Sequence, residues 1–123
     1  MHIPIQYAIT YPERFEGIKS KSFSFAEIAR LDFEEPDWNK FKALKLAYNA
    51  GKIGGSATVC LNASNEEAVF AFLKGQIKLF DIIESVEKMM VHHTVVKCNN
   101  LDEILAIDEE IRHKTKELFR IIT

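Results

Sequence analysis

The chain has 123 residues, of which 47% are hydrophobic and 28% are charged, with only five glycines and three prolines. This is the composition of one globular domain, and it excludes a collagen-like, low-complexity or largely disordered chain. Sixteen basic and eighteen acidic residues leave a formal charge of −2, without the basic excess typical of nucleic-acid binding. No apolar run approaches the roughly 18 residues of a membrane span. We therefore expect neither nucleic acid nor a membrane as a partner.

The two cysteines indicate a reducing compartment. Cys60 and Cys98 lie far apart in the sequence with no second pair, which argues against a disulfide framework. The N-terminal residues lack the charged and continuous apolar regions of a secretory signal. We expect a cytoplasmic protein.

A short helix is predicted at the start of the chain. Pro4 suits the first helical turn, where its missing N–H is not needed. Ile5, Ala8 and Ile9 follow at helical spacing. Pro12 should end this helix near residue 10 or 11, because a residue that precedes proline avoids the helical region.

Two short strands are predicted next. Residues 22–25 (SFSF) and 31–34 (LDFE) alternate between apolar and polar side chains, as strands with one buried face do. Residues 26–30 between them are long enough for one helical turn. Two such strands do not form a stable sheet alone, so their partners are expected elsewhere.

From residue 38 onwards the chain is predicted to form four helices. The first ends at Gly51 and the Gly54-Gly55 pair, and the second runs from about Ser56 to Leu73, with Gly75 as its stop. The third and fourth are predicted to start at Asp81 and near Asn100, each with a glutamate three residues later as a capping partner. Their apolar stripes are expected to be Phe41, Leu44, Ala47 and Tyr48; Leu61, Ala68, Val69, Phe72 and Leu73; Ile82, Ile83, Val86, Met89 and Met90; and Leu101, Ile104, Leu105, Ile111, Leu118 and Ile122.

These elements predict a mainly α fold. Residues 38–123 form a small bundle of about four helices. Residues 1–37 precede it as a linker with a short helix and one or two short strands.

Few residues in this pattern point to chemistry. Adjacent residues such as His92 and His93 point in different directions, whereas helical metal ligands are spaced three or four residues apart. The glycines of residues 51–55 match neither nucleotide-binding loop pattern and are explained by one helix ending and another starting. Cys60 lies in an apolar stretch and is expected to be a core residue.

Polar residues on helical apolar faces predict a structural network. If the second helix starts near Ser56, Asn65 falls on its apolar stripe and needs hydrogen-bond partners. If it starts at Ser64, that serine and Glu67 form a capping box instead. Asp108 also falls on an apolar stripe, four residues before Arg112, and is expected to be a half-buried, paired acid. We expect a structural polar network, made of Asn62, Asn65, Glu66, Asp108 and Arg112.

Four stretches resemble a known enzyme family. They are MHIPIQYAITYPER (1–14), LDFEEPD (31–37), LKLAYNAG (44–51) and LNASNEEAV (61–69). In this order and spacing they resemble the C-terminal third of 1-deoxy-D-xylulose 5-phosphate reductoisomerases. The sequence departs from the family at Lys42-Ala43, where the family has Pro-Cys, and at Ser64, where it has alanine. These are changes of packing detail.

The resemblance implies a specific role. Family enzymes use NADPH and Mg²⁺ or Mn²⁺ to make 2-C-methyl-D-erythritol 4-phosphate in non-mevalonate isoprenoid biosynthesis. Their cofactor-binding and metal-binding residues belong to domains that precede the part resembled here. The resemblance therefore implies an inactive fragment, without a cofactor or metal of its own, whose partner is the missing catalytic domain. Met1 matches a methionine near the family's substrate pocket, and residues 1–37 should pack on the catalytic domain.

Other functions stay open at this point. One alternative is a free-standing helical module that binds another protein through residues 1–37. Another is a small enzyme that uses His92, His93 or Cys98. In an isolated chain, residues 1–37 are expected either to be disordered or to self-associate with a second copy, because they concentrate large apolar side chains.

Overall fold

The computed structural model describes residues 2–15 and 24–122, and of residues 120–122 only the backbone. The chain divides into two units, Met1–Glu35 and Pro36–Thr123. The described residues form six helices and no strand: α1 (His2–Thr10), α2 (Phe25–Ile28), α3 (Lys42–Ile53), α4 (Ser56–Leu73), α5 (Leu79–His92) and α6 (Leu101–Ile122). The prediction of a mainly α fold is confirmed. None of the described helices is long and apolar enough to cross a membrane.

Helix α1 starts and ends as the prolines predict. Pro4 lies in its first turn, and it ends at Thr10, two residues before Pro12. The Thr10 hydroxyl donates to the carbonyl of Gln6 at 3.0 Å, and the Thr10 carbonyl accepts from the Glu13 amide at 2.9 Å. None of the described residues of α1 is buried.

The strand predictions fail within the described residues. Residues 22 and 23 of the first candidate lie outside them, while Ser24 caps α2 by accepting from the Glu27 amide at 3.4 Å. Residues 31–34 have no regular secondary structure. Alternation predicts a strand only where a neighbouring strand completes its hydrogen bonds, and none is present in the part of the chain that the structure describes.

Helix α3 packs on the bundle through a different face from the one predicted. Its inward side is formed by the buried Ala50 and the half-buried Leu46. The predicted stripe, which includes Leu44 and Tyr48, is exposed. The helix ends at Gly54, which has a φ of 71° and donates its N–H to the Ala50 carbonyl at 2.9 Å.

Helix α4 is the centre of the bundle and has the predicted bounds. Its buried residues are almost all small: Ser56, Ala57, Cys60, Ala63, Ser64, Ala68 and Ala71, together with Glu67. Small side chains let the neighbouring helices approach closely, so α4 is packed by α3, α5 and α6. Beyond the end of α4, Gly75 has a φ of 73°, and the Gly75 and Gln76 amides bond back to the carbonyls of Phe72 and Ala71.

The capping residues predicted from the sequence can be compared with the observed starts of α5 and α6. Helix α5 begins at Leu79, two residues before the predicted start, because the Asp81 carboxylate accepts from the backbone amide of Lys78 at 2.7 Å. The predicted cap of α6 is confirmed. The Asn100 side-chain oxygen accepts from the Glu103 amide at 2.9 Å, and the Glu103 carboxylate accepts from the Asn99 amide at 2.8 Å.

Two core clusters lie along α4, one at its C-terminal half and one at its N-terminal half. One is formed by Ala68, Ala71, Ile77, Ile82 and Phe119, with Val69, Phe72 and Ile83 packed against it. The other is formed by Cys60, Ala63 and Ile111, with Met89, Met90 and Ile107. The predicted stripe of α6 is therefore correct around Ile111, but Leu101 and Leu105 near its N-terminus are exposed.

Candidate functional site

The most developed polar cluster joins α6 to α4 through Arg112. Its Nε donates to Asp108 Oδ2 at 2.5 Å, and its Nη2 donates to Glu66 Oε2 at 2.7 Å. Its Nη1 lies 3.3 Å from Glu67 Oε1, and Lys116 Nζ lies 3.4 Å from the same oxygen. The hydrogen bond that the guanidinium donates to Asp108, followed by the one it donates to Glu66, raises the pKa of the guanidinium above its ordinary value.

This cluster is an interhelical clamp. Because the Glu67 side chain is only 10% exposed, its charge needs both Arg112 and Lys116 close by. Sequence reasoning missed two members of this cluster, Glu67 and Lys116. The sequence spacing could have indicated both residues. Lys116 follows Arg112 by one helical turn, and Glu67 lies one turn after Ala63 on the buried face of α4.

The two predicted asparagines do not join the clamp. Helix α4 starts at Ser56, but Asn65 is exposed, because the buried face is the one with Ala63, Ser64 and Glu67. Asn62 is exposed as well, and both asparagines line a shallow depression whose floor includes Leu46 and Val86. The predicted network therefore comes together in part, at Glu66, Asp108 and Arg112.

A second polar contact fastens the segment after α5 to the start of α4. The Ser56 hydroxyl lies 2.8 Å from His93 Nε2 and accepts from the Val96 amide at 2.8 Å. The Ser56 amide in turn donates to the Val96 carbonyl at 2.9 Å. Gly55 is required next to this contact, because its φ is 54° and a Cβ there would lie 2.6 Å from the Val96 carbonyl oxygen.

The serine and the histidine are in hydrogen-bond reach, as in a nucleophile–base pair. However, Ser56 is fully buried and its oxygen already accepts from a backbone amide, so a substrate cannot reach it. The arrangement fixes a loop. His92, the neighbouring candidate, is the last residue of α5 and is exposed.

The described residues do not fit NADPH or a divalent metal. A Cβ at Gly55 would meet the Val96 carbonyl, so the protein's own backbone occupies the space that a phosphate would need beside this glycine. Among residues 2–15 and 24–122, no three His, Cys, Asp or Glu side chains are placed to hold a metal ion. The clustered carboxylates of Glu66, Glu67 and Asp108 are bound by Arg112 and Lys116 instead.

Neither cysteine is placed as a reactive group. Burial raises the pKa of the Cys60 thiol to about 11, which disfavours the reactive thiolate at neutral pH. Cys98 is half-buried, and its Sγ lies 4.0 Å from the Val96 carbonyl oxygen. This geometry supports the prediction of a core cysteine at position 60.

The unit Met1–Glu35 presents a surface of a different kind. Met1, the predicted pocket residue, lies outside the described residues. The described part exposes large apolar side chains: Ile3, Ile5, Ile9, Tyr11, Phe15, Phe25, Ile28, Leu31 and Phe33. Within this unit the Tyr7 ring contacts two side chains: the Tyr11 ring meets it edge-on with centroids 5.7 Å apart, and the Arg14 guanidinium lies 4.5 Å from its centre.

Comparison with known proteins places the chain in a family. A family model described as the DXP reductoisomerase C-terminal domain matches residues 1–114. A 1-deoxy-D-xylulose 5-phosphate reductoisomerase of Geobacillus sp. (strain WCH70) is 48% identical over 118 residues, which are 96% of this chain and 31% of the relative. One from Desulforamulus reducens is 48% identical over 120 residues, with 98% and 31% covered.

Solved structures agree with the sequence relatives. The reductoisomerase from Zymomonas mobilis in complex with NADPH superposes with a TM-score of 0.78 at 38% identity, covering 95% of this chain and 31% of that one. A DOX-P reductoisomerase in complex with magnesium gives a TM-score of 0.74 at 32% identity, covering 97% and 32%.

The chain is thus a helical domain with an apolar N-terminal unit, and it belongs to the DXP reductoisomerase C-terminal domain family. It spans about a third of the length of the curated relatives that it matches.

Proposed function

We propose that the chain serves as the C-terminal domain of an NADPH- and metal-dependent 1-deoxy-D-xylulose 5-phosphate reductoisomerase, which acts in the cytoplasm in non-mevalonate isoprenoid biosynthesis. The observation that carries this proposal is the match of residues 1–114 to the family's C-terminal domain, with nearly the whole chain aligned to one third of each relative. In this role the chain is structural. The remainder of the enzyme supplies the cofactor site, the metal site and the catalytic residues.

The exposed apolar side chains of Met1–Glu35 support a docking role for this unit. Phe33, at 87% exposure, and Ile9, at 78%, are the kind of side chain that a monomeric domain normally buries. Burial of apolar surface is worth about 25 cal/mol per Å², so contact with the remainder of the enzyme would be stabilising. We propose that this unit packs on the catalytic domain and that, in the isolated chain, it associates with a second copy instead.

A chimera tests the proposal directly. The corresponding C-terminal third of the Geobacillus relative is replaced by this chain, and NADPH oxidation is measured with 1-deoxy-D-xylulose 5-phosphate and Mn²⁺. We expect a folded, active chimera, because the two sequences are 48% identical over 96% of this chain. The isolated chain is expected to show no turnover.

Two control proteins complete this experiment. The relative without its C-terminal third should be inactive or insoluble, and the chimera with Ile9→Ser and Phe33→Ser should lose activity or thermal stability. A fully active chimera that tolerates both substitutions would contradict the docking role. An inactive chimera that folds, as judged by circular dichroism, would contradict the proposed function. Light scattering of the isolated chain at several concentrations tests the self-association.

A further inference from the structure

The connection between α5 and α6, residues 93–99, is fastened to the start of α4 through Ser56. The Ser56 amide donates to the Val96 carbonyl at 2.9 Å, and the Ser56 hydroxyl oxygen accepts from the Val96 amide at 2.8 Å. His93 Nε2 lies 2.8 Å from the same hydroxyl oxygen. All three residues lie in Pro36–Thr123, so the contact is complete within one unit of the chain.

The Ser56 hydroxyl determines where His93 carries its proton. A hydroxyl has one proton to donate, and the Val96 N–H facing its oxygen can only donate as well. Ser56 is fully buried, which keeps water from taking the proton. Within the part of the chain that the structure describes, His93 Nε2 is the one acceptor bonded to this hydroxyl. In this contact His93 is therefore neutral, with its proton on Nδ1.

A second proton on His93 is incompatible with this contact. An imidazolium carries an N–H at both ring nitrogens, so Nε2 would direct a proton at the Ser56 oxygen. The hydroxyl proton of Ser56 would then have no acceptor among the described residues. A buried donor without a partner is unfavourable, so protonation of His93 works against the contact that holds Val96.

The other groups around His93 favour its charged form. On α6, Glu110, Lys114 and Glu117 line the same cavity as His93, so two carboxylates and one ammonium face it, and His92 is its titratable neighbour on α5. The pKa of Glu110 is lowered mainly by its hydrogen bond from Lys114, and least by His93. Among the described residues, α4 and residues 94–99 add no charged side chain to this lining. His93 is also the C-cap of α5, where the helix dipole favours a cation.

We propose that His93 is a pH-sensitive latch on the connection between α5 and α6. Neutral His93 accepts from Ser56 and holds residues 93–99 on α4. Protonated His93 leaves Ser56 for the carboxylates of α6 and loosens the hold on Val96. An unperturbed histidine changes charge near a pH of about 6.5, so the latch is closed at neutral pH and opens as the solution becomes mildly acidic.

The protonation state of His93 can be measured directly. Imidazole nitrogens with and without a proton differ in their nitrogen-15 chemical shifts, so NMR of the full chain at about pH 8 identifies the protonated nitrogen. We expect the proton of His93 on Nδ1. The signal is assigned by its loss in His93→Gln. A proton on Nε2 at that pH would overturn the proposal, because Nε2 could not then accept from Ser56.

Hydrogen exchange of the Val96 amide measures the latch itself. Its protection is expressed relative to an unstructured peptide at the same pH, which removes the intrinsic pH dependence of exchange. We expect protection to fall by at least about tenfold between about pH 8 and about pH 5.5, the factor that corresponds to one lost buried hydrogen bond. The amide of Ala63, in the middle of α4, serves as the internal reference and should keep its protection.

Two matched variants separate the latch from general acid effects. His93→Gln keeps an acceptor that does not titrate, so the protection of Val96 should become equal at the two pH values. His92→Gln makes the same change at the adjacent exposed residue and should leave the pH response intact. Circular dichroism verifies that each variant is folded.

Three results would overturn the proposal. These are constant Val96 protection in the unaltered chain, a pH response that persists in His93→Gln, and an equal fall in protection at Ala63 and Val96. None of these measurements requires turnover, so the result of the chimera experiment does not affect them.

Discussion

The two units of the chain differ in how far they bury their apolar side chains. In Pro36–Thr123, small residues on α4 let α5 and α6 approach closely, and side chains such as Ile111 are excluded from water. In Met1–Glu35, Phe33 and Ile9 are almost fully exposed although the unit is as rich in apolar residues. Every buried residue of the described chain lies between Ala50 and Phe119.

This difference shows that apolar residues alone do not make a core, because they must also have neighbouring elements to pack against. A helix such as α1, which is apolar on several sides, needs neighbours on several sides. Helix α4 has such neighbours within its own unit, and its small residues fit them. The second unit should therefore account for the stability of the chain, and the first should contribute where another surface covers it.

The largest expected effect is at the centre of the second unit. Ile111→Ala should lower the free energy of unfolding by about 2–5 kcal/mol, because Ile111 is 1% exposed and its loss leaves a cavity beside Cys60 and Ala63. Leu105→Ala is the matched control on the same helix and should cost less than about 1 kcal/mol, since Leu105 is 56% exposed. Urea unfolding followed by circular dichroism measures both. Similar costs would mean that α6 packs along its whole length.

That pair of variants also shows what the sequence could predict. Local signals placed helix ends well: Pro12 ended α1, Gly75 ended α4 and the Asn100 side chain capped α6. Each of these signals acts within one helical turn, so the sequence contains it in full.

The faces of the helices were harder to predict. Helix α3 has apolar residues on two sides, with Leu46 and Ala50 on one and Leu44 and Tyr48 on the other, and periodicity alone does not choose between them. The side of α3 that is buried is the one that fits against α4, whose alanines and serines leave room for close packing. The predicted network contained Glu66 and Arg112 but not Glu67, because the buried face of α4 that carries Glu67 was not identified from the sequence.

A smaller loss is expected where the loop after α5 meets α4. Gly55→Ala should cost about 2–3 kcal/mol, since the new Cβ would lie 2.6 Å from the Val96 carbonyl oxygen at a positive φ. Gly51→Ala, within α3 and with no atom within 4 Å of the added Cβ, should instead stabilise the chain by about 0.5–1 kcal/mol. Thermal unfolding separates the two signs. A neutral Gly55→Ala would show that the loop after α5 can move away from Ser56 at little cost.

The interhelical clamp comes next in size. Arg112→Met should cost about 1–2 kcal/mol, because it leaves the buried Glu67 carboxylate with Lys116 as its neighbouring charge and removes a partner from Asp108 and Glu66. Lys114→Met breaks the exposed pair with Glu110 on the same helix and should cost only roughly 0.3 kcal/mol. A double-mutant cycle of Arg112→Met with Glu67→Gln isolates the interaction between α4 and α6. A coupling energy near zero would show that the clamp adds nothing to the packing of the two helices.

The smallest effect should follow from removing the first unit altogether. Residues 36–123 should keep a cooperative thermal transition within about 1 kcal/mol of the full chain, because no described residue before Ala50 is buried. Residues 38–123, the domain boundary predicted from the sequence, should be less stable than 36–123 by about 0.5–1.5 kcal/mol. That cut removes Asp37, whose carboxylate accepts from the Asn39 and Lys40 amides and whose carbonyl accepts from the Phe41 amide ahead of α3. Calorimetry of the two truncations and the full chain measures both differences. A broad, non-cooperative transition for 36–123 would mean that Met1–Glu35 belongs to the same cooperative unit, and equal stability of the two truncations would mean that the Asp37 turn does not support α3.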